Sequence, residues 1–265
     1  MKIKVLLIAT LMLASFQACK KHNLKGEDVS YTVDGMTMKG YVVYDASVQG
    51  PRPGVLVVHE WWGQNEYARH RADMLAELGY TALALDMYGE GRHAHHPDEA
   101  GKMSGEVFKN FETAKARFNA ALDLLKKNPN VIPEKVAAVG YCFGGAIVLN
   151  MARQGIPLRG VVSFHGNYAA VKPAEKGTVT AKMLVLHGAD DKFSSQQQID
   201  DFKKEMADAG VDMRFISYPG AMHAFSNPEA DKLGQEFHIP LAYNADADKK
   251  SWDEMKKFLT EIFAM

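Results

Sequence analysis

The sequence predicts an α/β protein with one mostly parallel central sheet and helices on both of its faces. Three observations predict it. Short apolar runs at residues 55–58 and 136–139 have the unbroken apolarity of strands buried on both sides, and 81–85, 160–164 and 183–186 read as further strands. Helical stripes, such as Ala68, Ala72, Leu75 and Leu78, fall between the runs. Strand and helix periods then alternate along the chain of 265 residues, enough for one large domain with a single core.

The first segment stands apart from this alternation. Lys2 and Lys4 precede an apolar stretch at residues 5–14, and small and polar residues follow up to Cys19. That order is the order of a secretory leader, and the apolar part is too short to span a bilayer with ease. The leader is assigned to residues 1–18. Ala18-Cys19 is similar to the site at which bacterial lipoprotein leaders are cut and the cysteine is lipidated; plain cleavage is the other reading. The expectation is an exported, cell-envelope or periplasmic protein held to a membrane through Cys19, with a linker at residues 19–27 and the domain at residues 28–265. With Cys19 lipidated, Cys142 has no disulfide partner, and a lone thiol in an oxidising compartment calls for a use. The formal charge of −1, with no basic cluster, argues against nucleic acid as a partner.

Along the domain, residues 31–33 and 36–44 flank the turn Asp34-Gly35 and predict a hairpin. The strand at 55–58 ends in His59-Glu60-Trp61-Trp62-Gly63. A helix follows at about 66–78, closed by Gly79, and then the strand 81–85. A glycine- and histidine-rich loop leads to a long helical region ending near Lys127, and residues 128–133 form a turn. Strand 136–139, helix 146–151, strands 160–164 and 183–186, helix 195–209, strand 213–218 and an amphipathic helix at 251–263 complete the alternation. The polar stretch at 227–250 reads either as a lid or as a surface excursion.

Ligands in such sheets meet the carboxyl ends of the strands, and that is where the reactive residues fall. Gly140-Tyr141-Cys142-Phe143-Gly144 has the pattern of a sharp strand-to-helix elbow carrying a nucleophile, although a buried cysteine beside a glycine-rich turn satisfies the same letters. Gly188-Ala189-Asp190-Asp191 and Gly220-Ala221-Met222-His223-Ala224-Phe225 end two later strands. Nucleophile, acid, histidine is the chain order of α/β-hydrolases. With His59-Glu60-Trp61-Trp62-Gly63 and Asp86-Met87-Tyr88, these motifs resemble the dienelactone hydrolase family over roughly residues 30–263, the cysteine branch of the α/β-hydrolase fold.

The chemistry suits these residue types. A Cys142 thiolate attacks an acyl carbon, His223 carries the proton, and an aspartate fixes the imidazole tautomer. The resemblance favours Asp191 for that last task, with Asp190 as the alternate. The backbone N–H groups of Trp61 and Phe143 are the expected oxyanion donors. Resemblance also implies that Glu60 sits near the thiol and influences its ionisation; an ion pair with Arg69 is the structural alternative. Trp62, Tyr88, Arg92 and Asn227 are the expected substrate-pocket residues. The family's two carboxylate-holding arginines are not matched here, since Asn227 stands four residues beyond His223, and Gly89-Glu90 follows the Asp86 motif with Arg92 slightly later.

The expected function is hydrolysis of a small ester, lactone or thioester through an acyl-cysteine, without cofactor; the sequence leaves the oligomeric state open, with a monomer favoured. The rival reading is an exported lipoprotein that binds a small ligand in a hydrolase-like pocket without turnover. His93, His95 and His96 lack an ordered ligand set and read as a solvated loop rather than a metal site. His165 and His187, each at a strand end, read as backbone-bonding histidines. A redox role for Cys142 is disfavoured by the absence of a C-x-x-C pair.

Overall fold

The computed structural model describes residues 22–264. The leader and Cys19 lie outside the described residues. Eight strands form one sheet in the order β1-β2-β4-β3-β5-β6-β7-β8. β1 (Leu24–Val33) and β2 (Met36–Asp45) are the predicted antiparallel hairpin, and β2 pairs antiparallel with β4 (Thr81–Leu85). β3 (Arg52–Val58), β5 (Val131–Tyr141), β6 (Gly160–Phe164), β7 (Lys182–Gly188) and β8 (Met213–Tyr218) continue from β4 in parallel.

The two faces of the sheet follow from the period of two along each strand. Val55 and Val57 of β3, with Ala137 and Val139 of β5, face α1 (Glu66–Glu77) and α7 (Ala245–Ala264). Leu56, Val58 and Ala138 face the other way. They meet α2 (Pro97–Lys109), α3 (Phe111–Lys126), α4 (Phe143–Arg153) and α5 (Gln196–Asp208). Each fully buried Leu, Val or Phe of these layers contributes about 1.5–3 kcal/mol, which is why continuous apolar runs are stable only in this sandwiched position.

Five boundaries differ from expectation. β1 starts at Leu24, inside the expected linker, because Leu24 and its neighbours pair along the full length of β2. The helical region before Lys127 breaks at Asn110, whose non-helical backbone (φ −116°, ψ 59°) separates α2 from α3. β5 begins at Val131, so half of the expected turn is strand. α4 starts at Phe143, immediately after Cys142. The polar stretch at 227–250 holds α6 (Ala230–Phe237) and the first turn of α7, which starts six residues early behind Asn244, whose side chain accepts the Ala247 N–H.

Every parallel strand delivers a polar residue to the same edge of the sheet: Glu60 after β3, Asp86 after β4, Cys142 after β5, His165 after β6, Asp191 after β7 and His223 after β8.

Candidate active site

The elbow at Cys142 is built from two close approaches. A Cβ on Gly140 would overlap the Gly144 carbonyl, and one on Gly144 would overlap the Val58 carbonyl, so both positions need glycine. Cys142 itself has φ of 52°, a conformation that costs a non-glycine residue roughly 1–3 kcal/mol. The strain is held by neighbours: the Cys142 N–H donates to Phe164 O at 3.0 Å and to His165 Nδ1 at 3.1 Å, and Gly144 N–H donates to His59 O. The result lifts the partly exposed thiol out of the sheet edge at the start of α4.

Three side chains from three strand ends meet there. His223 Nε2 lies 3.0 Å from Cys142 Sγ, and His223 Nδ1 lies 2.8 Å from Asp191 Oδ2. Asp191 is 6 % exposed, and its other oxygen accepts the Phe193 N–H at 2.8 Å. Asp190, the alternate, is exposed and its backbone bonds Ala221 O instead. Burial pushes the His223 imidazole toward its neutral form. The charge of the facing sulfur, hydrogen bonds to Asp191 and Cys142 and the Asp191 charge outweigh burial and raise it to about 10. A thiol, an imidazole and a carboxylate in this chain can move a proton from sulfur to Nε2 while Nδ1–H stays on the carboxylate.

Glu60 is buried behind this group. Its carboxylate accepts the Asn227 amide at 2.7 Å, while Arg69 pairs with Asp28 at 2.6 Å, so the alternative Glu60–Arg69 ion pair is not formed. Burial raises Glu60 to about 7, offset only in part by the Asn227 hydrogen bond and by the charges of His223 and Arg71. Glu60 therefore changes charge near neutral pH, unlike an ordinary carboxylate. Among the described residues, neither the Trp61 nor the Phe143 N–H donates to a protein acceptor, and Phe143 opens the first turn of α4, where the helix dipole favours negative charge.

A cavity of about 200 Å³ opens over Cys142 and His223. Trp61, Phe108, Phe143, Phe193 and Leu241 line it, together with Ser104 and Asn167. The four residues expected to line the pocket are elsewhere. Trp62 is buried against Phe237. The Tyr88 hydroxyl donates to Trp61 O at 2.8 Å, and the Arg92 guanidinium donates to the Tyr88 and Gly89 carbonyls. Asn227 serves Glu60. Tyr88, Arg92 and Asn227 have their polar groups satisfied by neighbouring backbone or a buried carboxylate, and Trp62 is held by aromatic packing, so none of the four lines this cavity. Ser104 and Phe108 share one face of α2 at i and i+4, and Phe193 is two residues past Asp191. Those spacings were available signals for the true lining.

The other histidines resolve by their partners. His93 meets Gln64 O, His96 caps α2, and His187 Nδ1 meets the Tyr168 hydroxyl at 2.9 Å rather than backbone. His165 accepts the Cys142 N–H and lies 2.8 Å from Ser226 Oγ, which in turn lies 2.8 Å from the Tyr67 hydroxyl. Arg71, paired with Asp248 at 2.7 Å, closes this buried network by donating to Ser226 O.

Comparison with known proteins agrees with the architecture. The sequence profile of the Dienelactone hydrolase family matches residues 38–263. Protein usf of Aquifex pyrophilus is 30% identical over 224 residues, covering 83% of this chain and 95% of that protein. Among solved structures, a dienelactone hydrolase-like promiscuous phosphotriesterase from metagenomic libraries is 34% identical, covers 90% of this chain and 98% of its own, and has a TM-score of 0.83. A structure named m3DLH, also 34% identical, covers 91% and 99% with a TM-score of 0.86.

Proposed function

Since the chain belongs to the dienelactone hydrolase family and is a hydrolase of the α/β-hydrolase fold, we propose that it cleaves a small carboxylic ester, lactone or thioester through an acyl-enzyme on Cys142. The observation that carries this reading is the continuous contact from Sγ to Nε2 at 3.0 Å and from Nδ1 to the Asp191 carboxylate at 2.8 Å, on a strained elbow that opens into a cavity.

In the first half-reaction the Cys142 thiolate forms a bond to the acyl carbon, and the carbonyl electron pair moves to oxygen. The Trp61 and Phe143 N–H groups receive that oxyanion. Collapse expels the alkoxide, which takes the proton from His223 Nε2. In the second half, His223 removes a proton from water as the water oxygen attacks the thioester carbon. The thiolate leaves, the carboxylic acid is released, and Asp191 holds the Nδ1–H throughout. Glu60, poised near pH 7 within the field of His223, tunes how readily the Cys142–His223 pair carries opposite charges.

Replacing Cys142 by Ala tests the reading: turnover of 4-nitrophenyl acetate should fall to background with the circular dichroism spectrum unchanged, and wild-type covalent acylation should appear by intact-protein mass spectrometry. Unchanged turnover overturns it. The proposal includes export, with Cys19 carrying lipid. Metabolic labelling with a radioactive fatty acid should mark the wild type and not Cys19→Ala; equal labelling of both overturns the anchor.

A further inference from the structure

The cavity over Cys142 also restricts which esters can enter, an inference that rests on the hydrolase reading above. Its walls are the rings of Trp61, Phe108 and Phe143 and the Leu241 side chain. The two neutral polar side chains in its lining, Ser104 and Asn167, are already engaged. The Ser104 hydroxyl donates to Ala100 O at 2.8 Å; the Asn167 amide donates to Phe193 O at 3.3 Å while its oxygen accepts from Ala169 N–H.

No lysine or arginine lines the cavity among the described residues. The arginines of neighbouring segments are committed elsewhere. Arg92 serves the Tyr88 and Gly89 carbonyls and Arg117 serves Met87 O at 2.6 Å, both beside a separate hollow, and Arg71 is buried against Asp248. The one cation at the cavity among the described residues, the His223 imidazolium, is already matched by the Cys142 sulfur and the Asp191 carboxylate. A carboxylate on the substrate would therefore lose water without gaining a free countercharge, next to a sulfur that must itself be negative to attack.

The rim carries an independent sign. Phe193 is 40 % exposed, one of the few large apolar side chains left so, and its ring centre lies 4.6 Å from that of His223. An exposed ring beside a reactive imidazole gains when an apolar group covers both. The volume sets the size: an apolar cavity of about 150 Å³ holds benzene, so about 200 Å³ holds one ring or a short alkyl chain with a few further atoms.

We propose that the site selects uncharged esters or lactones carrying one apolar group of this size, and that Phe108 and Phe193 contact that group and set the preference. The test compares kcat/KM of the purified protein for 4-nitrophenyl hexanoate and 4-nitrophenyl hydrogen adipate, which share leaving group and chain length and differ in one terminal carboxylate. The neutral ester should be favoured by about 10²-fold, Phe193→Ala should lower its kcat/KM roughly tenfold through KM, and Phe193→Arg should raise the anionic ester's value roughly tenfold. Equal or better turnover of the adipate ester, abolished by Cys142→Ala, overturns the inference and leaves the hydrolase reading standing. Failure to hydrolyse either ester overturns both. Unaltered kinetics in both Phe193 variants removes Phe193 from the assignment.

Discussion

His165 and His223 flank Cys142 from two strand ends, both buried, with ring centres 5.4 Å apart, and they are driven to opposite protonation states. Burial, with the charges of His223 and Arg71 adding to it, lowers His165 far below the usual imidazole range. Burial acts on His223 in the same direction, and there it loses to the sulfur and the Asp191 carboxylate. The difference lies in the partners. His165 spends Nδ1 on an amide N–H and faces a hydroxyl; His223 faces two groups that become anionic. Residue type and depth alone would have made them equivalent. One imidazole can thus carry a proton while its neighbour holds the backbone that supports Cys142.

Four experiments would break or sharpen that contrast. The largest effect should come from His223→Ala, with kcat/KM for a 4-nitrophenyl ester falling about 10⁴-fold as the proton carrier is lost; a fall of less than tenfold would mean the two histidines are not divided as described. Asp191→Asn should cost about 10³-fold, because the amide cannot hold Nδ1–H in place, and the loss should appear in kcat. The acidic limb of its pH–rate profile should also shift, since the carboxylate supports the imidazolium.

Glu60 gives the third test. Its folded-state value near 7 lies above the ordinary carboxylate value, so the native state binds the proton more tightly than the unfolded chain. The associated stability is complete below the unfolded value and is lost as pH rises through about 7. Glu60→Gln keeps an acceptor for Asn227 and stays neutral, so it should be more stable than the wild type at pH 8 by about 3 kcal/mol, with little difference at pH 4. Urea unfolding at the two pH values reads this directly, and a pH-independent difference would contradict it. The smallest effect is expected from His165→Leu, which leaves Ser226 Oγ, among the described residues, with Tyr67 as its one side-chain partner and removes one of two acceptors for the Cys142 N–H. Thermal unfolding should register about 1–2 kcal/mol of destabilisation, with kcat reduced less than in either triad variant.

Much of the fold was legible before any coordinates. β4, β6 and β8 coincide with their predicted spans, and the hairpin turn at Asp34-Gly35 is where the turn chemistry requires it. β4 and β6, buried at every position, carry their signal in every residue, so no face has to be guessed. The misplaced boundaries lie where local signals are weak: Asn110 interrupts a continuous helical pattern through its backbone alone, and the start of α7 at Ala245 sits in polar sequence. That Cys142, His223 and Asp191 meet at one sheet edge was legible because each follows a strand in a glycine-marked turn. Trp62, Tyr88, Arg92 and Asn227 do not line the cavity over Cys142 but neighbouring hollows, because sequence proximity to a strand end says nothing about which way a side chain turns.

The alternation of two periods, the glycine elbow and the order of the reactive residues are properties of short segments, and the chain determined those unaided. Whether Glu60 meets Arg69 or Asn227, whether His165 carries a charge, and which rings face the thiol depend on partners 23 to 167 residues away. Only the tertiary structure decides these, because burial makes each polar group choose a partner and the fold alone determines which partner is within reach.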